Sequence, residues 1–356
     1  MKNQGDLCLF CVQKETNQYQ MPNRTMESKF SGIESNNFSV SEEVMIPQAP
    51  PGFKSGFIGI IGRPNVGKST LMNQLVGQKI AITSPVAQTT RNRLRGILTT
   101  PEAQLIFVDT PGIHKPHHQL GEVLVQNAKI AIESVDVVLF VVDATTPCGT
   151  GDRYIANLLA SDVAGNVKTS QTPVILGLNK IDQQPLESQF LDDSYTQLAQ
   201  LYQWQTVKFS AKTDAGLPQL QQLLIQQLET GPLYYPPDLV TDQPERFIMG
   251  ELIREQILLL TREEVPHSVA ISIDQVEETT AITRVLATVH VERDSQKGIL
   301  IGKGGTMLKA IGSAAREQIQ KLIAGKVYLE LFVKVQPKWR QSRVSLAELG
   351  YRVEQS

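Results

Sequence analysis

Eight residues near the start of the chain have the types and spacing of a phosphate-binding loop. The stretch from Gly62 to Ser69 reads GRPNVGKS and fits the pattern GxxxxGK[ST], between a predicted strand and a predicted helix. Its glycines allow the backbone to approach an anion closely, and the N–H groups at the helix start bind phosphate oxygens. We expect Lys68 to reach the β- and γ-phosphates of a nucleotide and Ser69 to bind Mg²⁺.

A second short motif, DTPG at 109–112, ends the predicted strand LIFVD. Asp109 is placed to hold Mg²⁺, directly or through water, and the Gly112 amide can meet a γ-phosphate. Alone, these four residues would be an ordinary Pro-Gly turn. Their position after a strand, downstream of the phosphate-binding loop, favours the nucleotide interpretation.

Two further motifs predict which base is bound. Asp182, the last residue of NKID (179–182), can accept hydrogen bonds from both the ring N–H and the exocyclic amine of guanine, a donor pair that adenine lacks. The stretch SAK (210–212) ends the last predicted strand of this region and would give a backbone N–H to the guanine oxygen. We therefore predict GTP rather than ATP. The predicted nucleotide site comprises Gly62, Arg63, Pro64, Asn65, Val66, Gly67, Lys68, Ser69, Thr70, Asp109, Thr110, Pro111, Gly112, Ile113, Asn179, Lys180, Ile181, Asp182, Ser210, Ala211 and Lys212.

Residues 57–229 resemble the translation-factor-like small GTPases, which implies a switch between GTP and GDP states. The loop at 84–96 then corresponds to the first switch, with Thr90 as the Mg²⁺-binding threonine and Thr89 as the alternative. The position that holds a water-orienting glutamine in Ras-like GTPases is Ile113, which predicts slow intrinsic hydrolysis. Asn65 matches an asparagine that similar GTPases use to hold K⁺ near the phosphates, or it caps the loop.

Three histidines, His114, His117 and His118, follow within the expected second switch. Such a cluster can bind a metal. No carboxylate or cysteine accompanies it, so we favour a solvated loop.

A second glycine loop has a different form. Gly302-Lys303-Gly304-Gly305 fits GxxG, lacks the GK[ST] ending, and lies between a predicted antiparallel strand pair and a helix. This is the KH arrangement, in which the loop clamps a nucleic-acid backbone and the adjoining groove reads about four unpaired bases. We predict RNA contacts from the four loop residues, from Lys309 and from Lys297. The alternative is a solvated basic face with a helix-capping loop.

The local charge supports nucleic-acid binding. Between Arg284 and Arg343 the chain has twelve Lys and Arg residues against four Asp and Glu residues, although its net charge is −2. Clustered positive charge is typical of phosphate binding. Trp339, just after the last predicted strand, would either stack on a base or anchor the C-terminal tail; we favour the anchor.

The elements that must position these loops form two groups. Strands alternating with helices predict an α/β P-loop GTPase domain with a mostly parallel sheet over 53–230, whose ligands bind at the carboxyl ends of the strands. A proline-rich linker (231–243) precedes an α+β type II KH domain with C-terminal tail (244–356), for which we expect the order α–β–β–α–β. Residues 1–52 are polar and without periodicity, and are predicted to be disordered.

Composition excludes several classes of protein. With 356 residues, 41% hydrophobic and 20% charged, the chain is ordinary for a soluble globular protein. Its apolar runs are far shorter than the ~20 residues that span a bilayer, and we see no signal peptide, so we expect a cytoplasmic protein. The three cysteines, Cys8, Cys11 and Cys148, do not form a disulfide framework, and the lone CxxC is interpreted as part of a floppy tail.

A GTPase domain followed by a KH domain closely resembles the Era GTPases. The resemblance covers about 53–353 and includes QTTRNRLRG, DTPGIHKP, ERFIMGELIREQI, GILIGKGGTMLKAIG, and KWR with LGYR near the end. It implies GTP hydrolysis, binding to the 3′ end of 16S rRNA during assembly of the 30S subunit and rRNA processing, and loose membrane association. Two alternatives remain open: an assembly factor whose nucleotide is structural, and a membrane signalling GTPase. A monomer is the default expectation.

Overall fold

A computed structural model of the chain describes residues 49–84, 90–91, 93–112, 119–165, 172–185, 188–263 and 265–351, with backbone alone at 119, 121, 124–125, 128–129, 131 and 161–165. Several predictions concern residues outside this part of the chain. They are the disordered extension up to 48 with its CxxC, Thr89 as the alternative switch residue, Ile113, and the three histidines of the expected second switch.

The first sheet has six strands in the order β2-β3-β1-β4-β5-β6. All neighbouring pairs are parallel except β2 and β3, which are antiparallel. The strands are β1 (Lys54–Ile61), β2 (Leu94–Thr99), β3 (Ala103–Asp109), β4 (Val137–Asp143), β5 (Val174–Asn179) and β6 (Gln205–Lys208). The expected mostly parallel sheet is therefore present, and β2, which the sequence did not predict as a strand, forms its antiparallel edge.

Helices cover both faces of this sheet, as expected for strands that alternate with helices. The helices are α1 (Lys68–Val76), α2 (Gln119–Glu133), α3 (Thr150–Gly165), α4 (Gln189–Tyr202) and α5 (Leu217–Gln227). One apolar core packs α1 and α5 against one face, and a second packs α2, α3 and α4 against the other. Strands β1, β3, β4 and β5 are nearly continuous runs of buried residues because both of their faces are covered.

The segment 231–243, here called the strap, is held along the edge of the first sheet. Ile97 N donates to Val240 O at 2.9 Å, and Thr241 Oγ1 donates to Arg95 O at 2.6 Å. The side chain of Gln104 accepts hydrogen bonds from the strap's backbone and also donates to it. The proline-rich segment is therefore bound to β2 and β3 along its length.

The second sheet has three strands in the order β7-β8-β9, where β7 and β8 are antiparallel and β8 and β9 are parallel. Its elements are α6 (Glu245–Leu260), β7 (Ala270–Glu278), β8 (Thr283–Val291), α7 (Asp294–Ile301), α8 (Thr306–Ile323), β9 (Val327–Val335) and α9 (Arg343–Glu348). The expected order α–β–β–α–β was incomplete, because α7 lies between β8 and the glycine loop. It is only eight residues long and ends at Ile301, directly before the glycine that opens that loop, so its periodicity is too short to detect.

Helix α6 is buried on nearly every side, whereas the sequence RFIMGELIREQILLL (246–260) predicts an amphipathic helix. Arg254, Glu255 and Gln256 are buried together with their apolar neighbours. The apolar core of the second sheet includes Ile82 from the loop after α1. Residues from Pro47 onward accordingly form one compact unit. Within the described residues, no helix is both long and apolar enough to cross a bilayer.

Candidate functional site

The predicted phosphate-binding loop lies between β1 and α1, at the carboxyl end of the parallel strands. A Cβ atom on Gly62 would lie 2.3 Å from Val141 O, and one on Gly67 would lie 2.3 Å from Asn179 Nδ2. Gly67 also has a φ of 99°, in the left-handed region that favours glycine. Both positions therefore require glycine, because a side chain would push the loop off β4 and off the NKID motif behind it.

Three oxygen-bearing side chains converge beside this loop. Ser69 Oγ donates to Asp109 Oδ2 at 2.7 Å, and Thr90 Oγ1 donates to the same oxygen at 3.0 Å. The two hydroxyl oxygens lie 2.9 Å apart. Hydroxyl and carboxylate oxygens are ligands that Mg²⁺ prefers. The structure thus brings together the three residues predicted for Mg²⁺.

Asp109 supplies an independent indication that a cation fits here. The residue is fully buried, and its Oδ1 has no hydrogen-bond partner within the described part of the chain. Burial raises the pKa of Asp109, while Lys68 and the two hydroxyl groups oppose that rise. A buried carboxylate oxygen without a partner is unfavourable, and a cation would remove the penalty. When bound, Mg²⁺ would neutralise charge on the nucleotide phosphates.

The side chain of Lys68 is held at the loop by its own backbone. Its Nζ donates to Gly62 O at 3.2 Å and to Arg63 O at 3.0 Å. Burial lowers the pKa of Lys68 to about 8, although the charge of Asp109 raises it in part. A phosphate would stabilise the ammonium form, so the buried lysine is matched to an anionic ligand.

The DTPG turn packs directly on the phosphate-binding loop. Thr110 Oγ1 donates to Ile60 O at 2.9 Å, and a Cβ on Gly112 would lie 2.7 Å from Pro64 N. This close approach requires glycine and brings the backbone of Gly112 to the edge of the site. A cavity of about 550 Å³ opens there, lined by phosphate-loop residues together with Thr83, Thr90 and Lys180.

The NKID motif is tied to the SAK loop and to the phosphate-binding loop. Asn179 Nδ2 donates to Val66 O at 2.8 Å, and Asn179 Oδ1 accepts from Ala211 N at 2.9 Å. Ser210 Oγ donates to Asp182 Oδ1 at 2.7 Å. The Asp182 carboxylate is exposed and held by Ser210, so its oxygens can still accept hydrogen bonds from a ligand.

Two acidic residues that support these loops were missed by the sequence analysis. Asp152 of α3 is fully buried and binds Arg63 Nε at 2.7 Å. Asp143, at the end of β4, accepts from Lys180 Nζ at 2.6 Å. The partners are 89 and 37 residues apart in the chain. No local pattern joins such positions, so only the fold identifies them.

The second glycine loop joins α7 to α8. A Cβ on Gly302 would lie 2.8 Å from Met307 Cβ, so this glycine is required by space. Gly304 and Gly305 have φ of 62° and 79°, and a Cβ on either would meet nothing within 4 Å. The outer side of the loop is therefore open, next to the positive N-terminal end of the 18-residue helix α8.

The predicted RNA-contacting lysines lie around this loop with different exposure. Lys303 and Lys309 are exposed, and Lys297 on α7 is half-buried. Trp339 is fully buried, donates from Nε1 to Ser268 O at 3.0 Å, and stacks on Tyr351. The tryptophan thus anchors the C-terminal segment, as we favoured, and is not accessible for base stacking.

The fold and these sites define a class: a P-loop GTPase domain with the guanine-specificity motif, joined to a type II KH domain. Residues 57–180 match the family described as 50S ribosome-binding GTPase, and residues 264–340 match the KH domain family. The fold-class prediction is therefore confirmed.

Comparison with known proteins gives the family. The chain is 81% identical over 331 residues to GTPase Era of Nostoc sp. (strain PCC 7120 / SAG 25.82 / UTEX 2576), covering 93% of this chain and 100% of that protein. It is 70% identical to GTPase Era of Rippkaea orientalis (strain PCC 8801 / RF-1), covering 87% of this chain and 96% of that protein. The chain belongs to the Era family of GTPases.

Solved Era structures share its architecture. One solved relative is Era in complex with MgGDPNP and nucleotides 1506–1542 of 16S ribosomal RNA. Its sequence is 37% identical to this chain, and the comparison covers 84% of this chain and 99% of that chain, with a TM-score of 0.78. A variant of Aquifex aeolicus Era bound to GDP·AlF4⁻ is also 37% identical, covers the same shares of the two chains, and has a TM-score of 0.77. The predicted GTPase activity is thus confirmed at the level of the family.

Proposed function

We propose that this protein is a GTP-controlled RNA-binding protein that acts on the 3′ end of 16S rRNA in assembly of the 30S subunit and in rRNA processing. The observation that carries this proposal is the presence of the four guanine-nucleotide motifs and an open GKGG loop in one compact unit. It is supported by the Era relative that was solved with a GTP analogue, Mg²⁺ and the 3′ end of that RNA.

In this proposal, the part of the chain with the first sheet binds GTP and the part with the second sheet binds RNA. Residues 53–230 bind and hydrolyse GTP, with Mg²⁺ held by Ser69, Thr90 and Asp109 and the base selected by Asp182. Residues 244–356 bind single-stranded RNA through the GKGG loop, and the strap connects the two. Because binding at two coupled sites is reciprocal, RNA must favour the nucleotide state that favours RNA.

Titration of a labelled RNA tests this function. The RNA ends in the 16S 3′ sequence, a scrambled RNA is the control, and the protein is loaded with GDP or with a non-hydrolysable GTP analogue. We expect tighter binding to the 16S sequence in the GTP-analogue state, by roughly 5- to 150-fold. Equal affinity for both RNAs and both nucleotide states would contradict the proposal and leave a GTPase with an unspecific basic face.

We also propose that K⁺ binds at Asn65 and neutralises charge that develops on the phosphates during hydrolysis. Asn65 lies in the phosphate-binding loop with a φ of 64°, a conformation that asparagine tolerates. We expect the GTPase rate to be higher in KCl than in NaCl at equal ionic strength, and the difference to be lost in Asn65→Ala. Equal rates of the unaltered protein in the two salts would remove this part of the proposal.

The proposed location is the cytoplasm, with the protein acting as a monomer and contacting a membrane surface only peripherally. Exposed basic residues such as Lys303 and Lys309 supply the charge that would attract anionic lipid. Sedimentation with anionic vesicles tests the membrane contact, and retention of all protein in the supernatant would rule it out.

A further inference from the structure

Arg91 follows Thr90 directly in the chain but binds the other half of the molecule. Its side chain is buried, with 2% of the residue exposed. Nη1 donates to Val269 O at 2.5 Å, and Nη2 donates to Pro266 O at 3.3 Å and to His267 O at 3.2 Å. The guanidinium therefore lies against the turn that leads into β7, while the preceding residue lies at the Mg²⁺ site.

Two aromatic rings complete the surroundings of this guanidinium. Its central carbon lies 5.9 Å from the ring centroid of Trp339 and 5.8 Å from that of Tyr351, within the range of cation–π attraction. The rings stack on each other with centroids 5.8 Å apart. Both belong to the C-terminal segment after β9. We call the carbonyls of 266, 267 and 269 and these two rings the Arg91 cage.

A second contact holds the chain before Thr90 to the same half of the molecule. Glu255 of α6, 1% exposed, accepts from Thr83 N at 2.9 Å and from Lys79 Nζ at 2.6 Å. Ile82 lies between these two partners in the chain and packs in the apolar core of the second sheet. Thr83 and Arg91 are therefore both fixed to the second half of the molecule, and Thr90 lies between them in the chain.

We propose that Arg91 is a positioning residue that couples Thr90 at the Mg²⁺ site to the C-terminal pair Trp339 and Tyr351. Adjacent Cα atoms are only about 3.8 Å apart, so a movement of Thr90 away from Asp109 and Ser69 also moves the backbone of Arg91. A buried guanidinium without its partners is strongly unfavourable, so Arg91 keeps its cage and the displacement reaches the cage residues. The inference rests on the proposed function, because it assigns a route between the nucleotide and the RNA-binding half.

Fluorescence of Trp339 provides a direct test without RNA. The chain has two tryptophans, so Trp204→Phe leaves Trp339 as the only one. We expect the emission of this full-length protein with Mg²⁺ to differ between GDP and a non-hydrolysable GTP analogue. Arg91→Ala should abolish that difference. Arg153→Ala is the matched control and should retain it, because Arg153 is an exposed arginine on α3, outside the first-switch loop.

A second readout separates positioning from folding. If Thr90 depends on Arg91, the Mg²⁺ concentration for half-maximal single-turnover hydrolysis should rise about tenfold in Arg91→Ala and stay unchanged in Arg153→Ala. Arg91→Lys keeps a charge in the cage but lacks the planar fork that reaches several carbonyls at once, so it serves if the alanine variant does not fold. We expect it to reduce the emission difference to half or less.

Three outcomes would overturn the inference: no nucleotide-dependent emission in the Trp204→Phe protein, an undiminished difference in Arg91→Ala, or an undiminished difference in Arg91→Lys. The RNA titration tests the proposed RNA target, and its outcome does not depend on these fluorescence measurements. A protein that binds the two RNAs equally but loses its emission change in Arg91→Ala would refute the proposed RNA target and retain the coupling between Thr90 and the C-terminal pair.

Discussion

Replacing Asp182 by Asn is expected to exchange the preferred base from guanine to xanthine. Guanine presents two N–H donors to the carboxylate, whereas xanthine has a carbonyl in place of the exocyclic amine. An asparagine can accept from the ring N–H and donate to that carbonyl, but it opposes a donor to the guanine amine. Because a site with a mismatched polar group discriminates strongly, GTP affinity should fall by roughly 10³- to 10⁴-fold, and XTP should bind better than GTP.

The structure makes this exchange a clean test. The Asp182 side chain is exposed, and the acceptor for the Ser210 hydroxyl is retained in asparagine, so folding should be unaffected. Asp214→Asn is a matched control on the neighbouring loop: the residue is exposed with a φ of 63°, which asparagine tolerates. Fluorescent GDP and XDP displacement measures both preferences. If Asp182→Asn kept the affinity of the parent for GTP, Asp182 would not be the base-selecting residue.

Replacing Gly304 by Asp is expected to weaken RNA binding by roughly 10- to 100-fold and leave GTP affinity unchanged. The substitution places a negative charge on the loop proposed to clamp RNA phosphates, where each close charge pair costs on the order of 1 kcal/mol or more. Space is available, since a Cβ at this position meets nothing within 4 Å. The left-handed φ of 62° is one that aspartate tolerates better than most residues.

The variant Gly304→Asn separates the effect of the negative charge on RNA affinity from the effect of a changed loop backbone. Asparagine has the shape of aspartate and the same tolerance of a positive φ, but it is neutral, so its RNA affinity should stay close to that of the parent. Fluorescence anisotropy at several salt concentrations measures both variants. Equal losses in the two variants would show that loop conformation, and not phosphate contact, explains the effect.

The nucleotide site was largely predictable because its motifs are local. Each of GRPNVGKS, DTPG, NKID and SAK follows a strand, and parallel strands bring their carboxyl ends to one edge. The positions of Ser69 and Asp109 relative to one another follow from that rule, whereas Thr90 precedes the antiparallel strand β2 and was assigned from its place in the first-switch loop. By contrast, the burial of Asp152 beneath Arg63 depends on the packing of α3, and no spacing in the sequence indicates it.

Long-range packing also explains what was missed elsewhere. Helix α6 looked amphipathic, but Arg254, Glu255 and Gln256 are buried, and Glu255 is covered by the loop after α1, whose Lys79 and Thr83 bind it. Arg91 looked like one of several loop arginines in TTRNRLRG. Its role could be inferred only from the carbonyls and aromatic rings that surround it, which come from residues far along the chain.

The strap also affects the tendency of the first sheet to aggregate through its edge strand. Strand β2 is an edge strand, and its outward backbone groups would otherwise offer a template for pairing with another chain. The bond from Ile97 N to Val240 O occupies part of that template. A fragment that ends at Thr230 would lack the strap, so the exposed edge of β2 should make it aggregate. A fragment that continues to Gln243 would retain the strap on β2 and should stay soluble.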